Sequence, residues 1–147
     1  MVLWRISRHR ELDGVGGLRA AGRWHERGFR VVYLAETPAG AMLEVCAHTA
    51  ANDLPPNYTL LEIAVPHGVR VETVPLKSLS RGWRQSLDET RAIGSEWLRS
   101  MRSALLRVPS VIVPATYNVL LNPAHLQAKQ LAITSMLEYP FDIRLKR

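Results

Sequence analysis

Three polar residues at nearly regular spacing are the first candidates for chemistry in this chain. Arg23, Tyr33 and Glu44 follow one another at intervals of ten and eleven residues within GRWHERGFRVVYLAETPAGAMLEV. An arginine can bind phosphate through a planar fork of N–H donors, and a carboxylate can stabilise a nearby positive charge. Each residue also has an ordinary interpretation: a surface arginine, a core tyrosine with a satisfied hydroxyl, and a glutamate paired with His48 one helical turn later. Taken alone, the segment fits an ordinary amphipathic scaffold.

The elements that must position these residues follow from local sequence signals. Runs of β-branched and aromatic residues predict strands at 2–6, 30–35, 58–65 and 69–74, the last two as a hairpin or strand pair. Thr37 and Pro38 predict the cap and first position of a helix that continues through residues 39–51. The glycines of ELDGVGGLRAAG predict a loop between the first two strands.

The second half of the chain carries weaker signals for one helix and one strand. Ser95 is predicted to cap a helix that ends near Arg107. The apolar residues that recur at helical spacing in this segment are Leu98, Met101 and Leu105. The sequence VPSVIVP at 108–114 predicts a short strand bounded by prolines.

The C-terminal part is predicted to close the fold. Asn122 and Pro123 predict a brief helical turn, and residues 131–145 predict closing strands interrupted at Pro140. No internal repeat, linker or composition break divides the chain. We therefore expect one compact α+β domain over residues 1–147, with a mixed sheet and flanking helices.

Composition limits the class of protein. The net charge of +6, from 19 Lys and Arg against 13 Asp and Glu, permits a phosphate-bearing or acidic partner. The arginines are scattered and do not alternate with stacking aromatic residues, so direct nucleic-acid binding is not favoured. The lone Cys46 excludes an intramolecular disulfide, and the five histidines show no metal-ligand spacing, so no metal is expected. Charge within the first apolar run and the lack of a long apolar stretch predict a cytoplasmic protein without a membrane span.

Common nucleotide and hydrolase motifs do not account for the sequence. Gly14, Gly16 and Gly17 suggest a dinucleotide fingerprint, but Arg19 occupies its third glycine position and the segment does not lead from a strand into a helix. The sequence has no phosphate-binding P-loop, no His-Glu-x-x-His helix and no Gly-x-Ser-x-Gly nucleophile turn.

Five separated segments together resemble the RES-domain family, which is named for an arginine, a glutamate and a serine. In chain order they are LWRI, GGLRAAGRWHERG, VVYLAETPAGAMLEV, VPSVIVPATYNVLLNPAH and FDIRL, and they span nearly the whole sequence. The residues that match the signature are Arg23, Tyr33, Glu44 and Ser110, together with Arg5 of the first strand and Asn118, Asn122 and His125 of an Asn-x-x-x-Asn-Pro-x-His segment. The departures are His25, where asparagine is common, and Thr116 and Tyr117, where an acidic lead is usual.

This resemblance implies an ADP-ribosyltransferase-like fold and a toxin of a type II toxin–antitoxin pair. The implied substrate is NAD⁺, and the implied reaction is glycohydrolysis or phosphorolysis, with NAD⁺ depletion arresting growth, or ADP-ribosyl transfer to a protein. The implied partner is an Xre-type helix-turn-helix antitoxin that covers the active site. Two alternatives stay open: an RNA-binding or ribonuclease module, suggested by the charge, and an inactive family member that only binds its antitoxin.

The residue types suit the implied chemistry. Cleavage of the nicotinamide–ribose bond passes through an oxocarbenium-like transition state, so the site needs negative charge near the developing cation and a hold on the pyrophosphate. We assign the first role to Glu44, the second to Arg23 and Arg5, and contact with the nicotinamide ring to Tyr33. Further substrate contacts are assigned to Ser110, Asn118, Asn122 and His125. Because nicotinamide leaves as a neutral molecule, one carboxylate suffices.

Overall fold

Seven strands form one mixed sheet in the computed structural model, which describes residues 1–145. The strands are β1 (Val2–Ile6), β2 (Val32–Ala35), β3 (Asn57–Ala64), β4 (Val71–Thr73), β5 (Leu105–Pro109), β6 (Tyr117–Leu121) and β7 (Ala132–Pro140). Their order across the sheet is β4-β5-β6-β2-β1-β3-β7. Neighbours β4 and β5 are parallel, and the other neighbouring pairs are antiparallel.

In the described part of the chain, three α-helices accompany the sheet: α1 (Gly16–Arg19), α2 (Pro38–His48) and α3 (Leu87–Ser100). Short 3₁₀ turns lie at Ala51–Asp53, Leu76–Ser78, Trp83–Gln85, Leu126–Gln130 and Ile143–Leu145. The predicted α+β class, with a mixed sheet and helices, is confirmed. Within residues 1–145, no helix is long and apolar enough to cross a membrane. Lys146 and Arg147, which end the predicted domain, lie outside the described residues.

Alternate residues of the central strands point into two separate apolar clusters. Leu105 and Leu121 belong to one cluster, and their neighbours Leu106 and Leu120 belong to the other. Successive side chains of a strand face opposite sides of a sheet, so the clusters lie on its two faces. Helix α3 contributes its buried Trp97 to the second cluster.

The sheet has a weak junction at its centre, between β1 and β2. These strands are joined by a single register pair, Trp4 with Ala35. By contrast, β1 pairs with β3 over five positions and β2 pairs with β6 over four. Beyond the Trp4–Ala35 pair the two halves of the sheet separate, which leaves space between the end of β1 and the start of β2.

The first strand and the cap of α2 agree with the sequence predictions. Strand β1 occupies the predicted residues 2–6. Thr37 caps α2, because its Oγ1 accepts a hydrogen bond from the Gly40 amide at 2.9 Å, and Pro38 is the first helical residue. The segment predicted as a glycine-rich loop also contains the single turn α1.

The predicted helix from Ser95 to about Arg107 is wrong in both bounds. Helix α3 begins at Leu87, where Ser86 caps it by accepting a hydrogen bond from the Glu89 amide at 3.4 Å. It ends before Met101, which adopts a left-handed conformation with φ of 57°. Ser95 is instead a buried residue within the helix.

Strand pairing also departs from the sequence prediction. The strands β3 and β4 do not form a hairpin, since β3 lies between β1 and β7, and β4 pairs with β5. Strand β5 covers 105–109 rather than 108–114. One closing strand, β7, replaces the several that were expected, and it ends at Pro140. Asn122 caps a turn at Pro123 as predicted, since its Oδ1 accepts a hydrogen bond from the Ala124 amide at 3.1 Å, and His125 caps the 3₁₀ turn that follows.

Candidate active site

A cavity of about 440 Å³ opens where β1 and β2 separate. This volume lies in the usual range for small-molecule sites. Five of the eight residues predicted to contact substrate line it: Arg5, Arg23, Tyr33, Glu44 and Asn118. Much of the remaining wall is apolar and comes from Trp4, Ile6, Leu34, Ala41, Val45 and Val111. The combination of apolar walls and a few polar groups is typical of a ligand site.

The Glu44 carboxylate is held from two sides at the cavity wall. Its Oε1 accepts a hydrogen bond from the side-chain amide of Asn118 on β6 at 2.9 Å. Its Oε2 lies 3.2 Å from Nε2 of His48, one turn later on α2. The Glu44 side chain is 29 % exposed, so it is only partly shielded from water by the apolar helix. The ordinary interpretation, pairing with His48, is therefore compatible with a position facing the cavity.

Two arginines that line the cavity each have a buried terminal nitrogen without a partner. Among residues 1–145, the buried side-chain nitrogen and oxygen atoms without a hydrogen-bond partner are Nη1 of Arg5 and Nη1 of Arg23. Burial lowers the pKa of Arg5, and only the carboxylate of Asp13 opposes this effect. A buried donor without a partner costs folding free energy, so two such atoms at one cavity are typical of an anion-binding site.

Tyr33 lines the cavity, and its hydroxyl is engaged by two neighbouring residues. The hydroxyl oxygen accepts a hydrogen bond from the Trp24 amide at 3.0 Å and lies 2.8 Å from Nδ1 of His25. Burial raises the pKa of the Tyr33 hydroxyl well above its ordinary value, so this group is neutral at physiological pH.

Helix α3 fixes the loop that carries Arg23. The Thr90 hydroxyl donates to the Arg23 carbonyl at 2.6 Å, and Arg91 Nε donates to the Gly22 carbonyl at 2.8 Å. These contacts hold the two peptide groups on either side of the Arg23 Cα atom. The arginine side chain is therefore placed by a helix 67 residues further along the chain.

The same helix approaches the loop closely at a glycine. A Cβ atom on Gly94 would lie 1.6 Å from the Trp24 carbonyl oxygen, so only glycine fits at this position. Ser95 Oγ accepts a hydrogen bond from the Glu26 amide at 2.9 Å. Because the sequence prediction began the helix at Ser95, it missed these contacts. The available signal was the capping pattern Ser86-Leu-Asp-Glu, which predicts a helix that starts earlier.

Ser110, Asn122 and His125 do not line the cavity, and their hydrogen bonds are structural. Ser110 is 2 % exposed, and its Oγ accepts hydrogen bonds from the backbone amides of Ile112 at 3.1 Å and Val113 at 3.3 Å. Asn122 is also 2 % exposed and donates to the Leu98 carbonyl at 3.1 Å. His125 Nδ1 accepts from the Gln127 amide at 3.1 Å, which caps a 3₁₀ turn. The sequence grouped these residues with the site, and the structure separates them from it.

One group of possible metal ligands lies outside the cavity, although histidine spacing predicted none. The ligand atoms of His9, Glu11 and Asp13 lie within 4.8 Å of one another. Nε2 of His9 and Oδ1 of Asp13 are 2.8 Å apart, and this contact lowers the pKa of the Asp13 carboxyl. The group is largely exposed, and an ordinary surface ion pair accounts for it.

Comparisons with known proteins agree with this architecture. A family model described as "RES domain" matches residues 2–142. A protein from Pseudomonas putida named "Toxin Res" is 44% identical over 135 residues, covering 90% of this chain and 92% of that protein. A Sphingobium protein named "Prs ADP-ribosylating toxin" is 38% identical, and the match covers 98% of this chain and 96% of that protein. The fold is similar to that in the crystal structure of the Mycobacterium tuberculosis MbcT–MbcA toxin–antitoxin complex, with a TM-score of 0.73 at 22% identity, over 95% of this chain and 84% of that one. The predicted fold is thereby confirmed.

Proposed function

Because the chain belongs to the RES-domain family, we propose that it is an NAD⁺-consuming toxin of a type II toxin–antitoxin pair. The proposed reaction cleaves the nicotinamide–ribose bond, by hydrolysis or phosphorolysis, and arrests growth by depleting NAD⁺. One observation carries the proposal. The two arginines with buried, unpartnered donors and the held Glu44 carboxylate line one cavity.

The arginines suit the pyrophosphate of NAD⁺. Arg5 and Arg23 come from different elements, β1 and the loop before β2, and both border the cavity. A guanidinium binds phosphate oxygens through parallel N–H donors, and such charge-assisted hydrogen bonds are strong where water is excluded. Bound pyrophosphate would bring negative charge beside both guanidinium groups, each of which has one terminal nitrogen without a partner in the protein.

Glu44 suits the developing positive charge on the ribose. As the bond to nicotinamide breaks, its electron pair moves to the nicotinamide nitrogen and the ribose acquires oxocarbenium character. A carboxylate fixed before the reaction stabilises that charge without reorganising in the transition state. Asn118 provides this fixation, since its amide holds Oε1 of Glu44 at 2.9 Å.

Tyr33 and the apolar wall suit the nicotinamide. Neutral nicotinamide needs no proton to leave, so the site requires no general acid at that position. The engaged, high-pKa hydroxyl of Tyr33 agrees with a role for the ring face rather than for acid–base chemistry. Trp4 and Val45 add apolar surface to the same cavity.

A second candidate for the ADP-ribose acceptor is a protein side chain. The relative named "Prs ADP-ribosylating toxin" shares 38% of its residues with this chain over nearly full length, which favours this alternative. Water, phosphate and a side chain would approach the same ribose carbon, so the cavity residues serve all three reactions. The proposal therefore fixes the bond that breaks and leaves the acceptor to experiment.

We propose as partner an Xre-type helix-turn-helix antitoxin that covers the cavity. The similarity to a toxin of known toxin–antitoxin assembly supports such a partner. A direct test is to add the purified antitoxin to the toxin and measure NAD⁺ consumption. Inhibition that saturates with complex formation is expected, and full activity of the complex would contradict the covering of the cavity.

The reaction is tested by incubating the protein with NAD⁺, with and without phosphate, and identifying the products by mass spectrometry. Hydrolysis yields ADP-ribose, phosphorolysis yields a phosphorylated ADP-ribose, and transfer adds ADP-ribose to a protein supplied in a cell extract. Unchanged NAD⁺ in all arms would refute the proposed function. Salt-dependent RNA binding or cleavage in a parallel assay would then favour the nucleic-acid alternative.

A further inference from the structure

We infer that His25 is a positioning residue that holds the Tyr33 ring in the proposed NAD⁺ site, an inference that rests on the function proposed above. His25 does not line the main cavity, and the residue is 3 % exposed. It lies directly behind Tyr33, with the two ring centroids 5.6 Å apart. Its contact with the tyrosine hydroxyl is the shortest that this hydroxyl makes, at 2.8 Å.

The hydrogen bonds of His25 allow one tautomer. Nε2 lies 3.0 Å from the Ala20 carbonyl, which can only accept, so the proton is on Nε2. Nδ1 of the neutral ring is then an acceptor, and the Tyr33 hydroxyl must donate to it. Burial lowers the pKa of His25, and the nearby charges of Arg91 and Glu26 act in opposite directions, so the ring is neutral at physiological pH.

This assignment uses both hydrogen-bonding functions of the Tyr33 hydroxyl. The oxygen accepts from the Trp24 amide, and the proton goes to His25. The tyrosine ring is thus fixed at its hydroxyl end, and the residue also lines the cavity. His25 acts on substrate only through Tyr33.

The backbone of Gly22 packs closely against the Tyr33 hydroxyl and the His25 ring. A Cβ atom at Gly22 would lie 2.5 Å from the Tyr33 hydroxyl oxygen and 2.8 Å from Nδ1 of His25. Glycine is the residue that allows the backbone to approach this closely. Its carbonyl is held by Arg91 at 2.8 Å, so the covering peptide is itself fixed.

Two substitutions separate the two nitrogen atoms of His25. In His25→Asn, the side-chain oxygen takes the place of Nδ1 and can accept from Tyr33, but the donor to Ala20 is lost. In His25→Gln, the side-chain amide takes the place of Nε2 and can donate to Ala20, but the acceptor for Tyr33 is lost. The two variants therefore remove one hydrogen bond each, from opposite sides of the ring.

If His25 positions Tyr33, activity is expected to separate the two variants even though each of them loses one buried hydrogen bond. His25→Asn should retain kcat within about threefold of the wild type, while His25→Gln should lose about tenfold, the order expected for one buried hydrogen bond. Substrate KM should change little in either, because the arginines are intact. In a Tyr33→Phe background, His25→Gln should cause no further loss of kcat, since the contact is already absent.

Loss of activity that simply follows the melting temperature in both variants would overturn the inference, as would an additive effect in the Tyr33→Phe background. A readout without substrate distinguishes this outcome from failure of the proposed function. Nitrogen-15 NMR of histidine-labelled protein should show a protonated Nε2 and an Nδ1 resonance that shifts in Tyr33→Phe. A protonated Nδ1 in the wild type would overturn the inference whether or not NAD⁺ is consumed.

Discussion

Replacing Arg5 with methionine should stabilise the protein and weaken its binding of NAD⁺. Arg5 is the clearest case of a group that the fold tolerates at a cost, because burial lowers its pKa and its Nη1 has no partner. Methionine fills much of the same volume without a charge. The substitution removes a penalty from the free protein and an anion-binding group from the site.

The structure supports a rough magnitude for each effect. A buried donor without a partner costs about 1–3 kcal/mol, so the free energy of unfolding should rise by an amount of that order. For a chain of this length, each kcal/mol corresponds to about 2–4 °C in Tm. A charge-assisted hydrogen bond contributes about 1.5–3 kcal/mol, so Kd for NAD⁺ should rise about 10- to 150-fold.

Both effects can be measured with one set of proteins. Thermal unfolding gives the change in stability, and calorimetric titration of NAD⁺ into a catalytically inactive Glu44→Gln background gives Kd. Arg81→Met is a matched control, because Arg81 is exposed and does not line the cavity. An Arg5→Met protein that binds NAD⁺ as tightly as the control would refute the assignment of Arg5 to the pyrophosphate.

Three further predictions concern the elements around the site. Gly94→Ala should lower the free energy of unfolding by about 1–3 kcal/mol, because its Cβ would collide with the Trp24 carbonyl. Gly82→Ala is the control and should leave the free energy of unfolding unchanged, since a Cβ there would meet nothing within 4 Å. Equal denaturant midpoints for the two variants would contradict this prediction. Ser86→Ala should cost about 1 kcal/mol in chemical denaturation if α3 begins there, and an unchanged midpoint would argue against this cap. Because burial depresses the pKa of His25, protonation favours the unfolded chain, so stability should fall as pH falls below about 6.5; a His25→Asn protein with the same pH slope would refute this source.

Local signals in the sequence were sufficient for elements whose residues interact with near neighbours. Thr37 followed by proline specifies the start of α2 because the cap is satisfied three residues later, by Gly40. The apolar run of β1 likewise reads directly as a strand. These predictions needed no knowledge of distant partners.

Features that depend on distant partners were beyond the reach of local patterns. The segments of β3 and β4 are consecutive strands and suggest a hairpin, yet each is paired with strands far away in the chain. Register and strand order arise from burial on both faces of the sheet, which a single strand does not encode. The start of α3 is different, because Ser86-Leu-Asp-Glu is a local capping signal that lies earlier in the chain than the apolar spacing around Ser95.

The candidate site shows the same difference between what local sequence signals predict and what depends on distant residues. Arg23, Tyr33 and Glu44 were recognisable as a set only through motifs elsewhere in the chain, and the structure brings them together with Arg5 and Asn118. Sequence order could not separate residues that contact the cavity from residues that support it. The hydroxyl of Ser110, for example, caps the turn that contains Val111, and it is Val111 rather than Ser110 that lines the cavity.

Turnover by a folded Glu44→Gln variant tests the central claim most directly. Glutamine keeps the size of the side chain and an oxygen for the Asn118 amide, so the fold and Tm should be nearly unchanged. Loss of the negative charge should reduce the rate of NAD⁺ consumption about 10²- to 10³-fold, measured as nicotinamide release. Wild-type turnover by a folded Glu44→Gln protein would contradict the proposed mechanism.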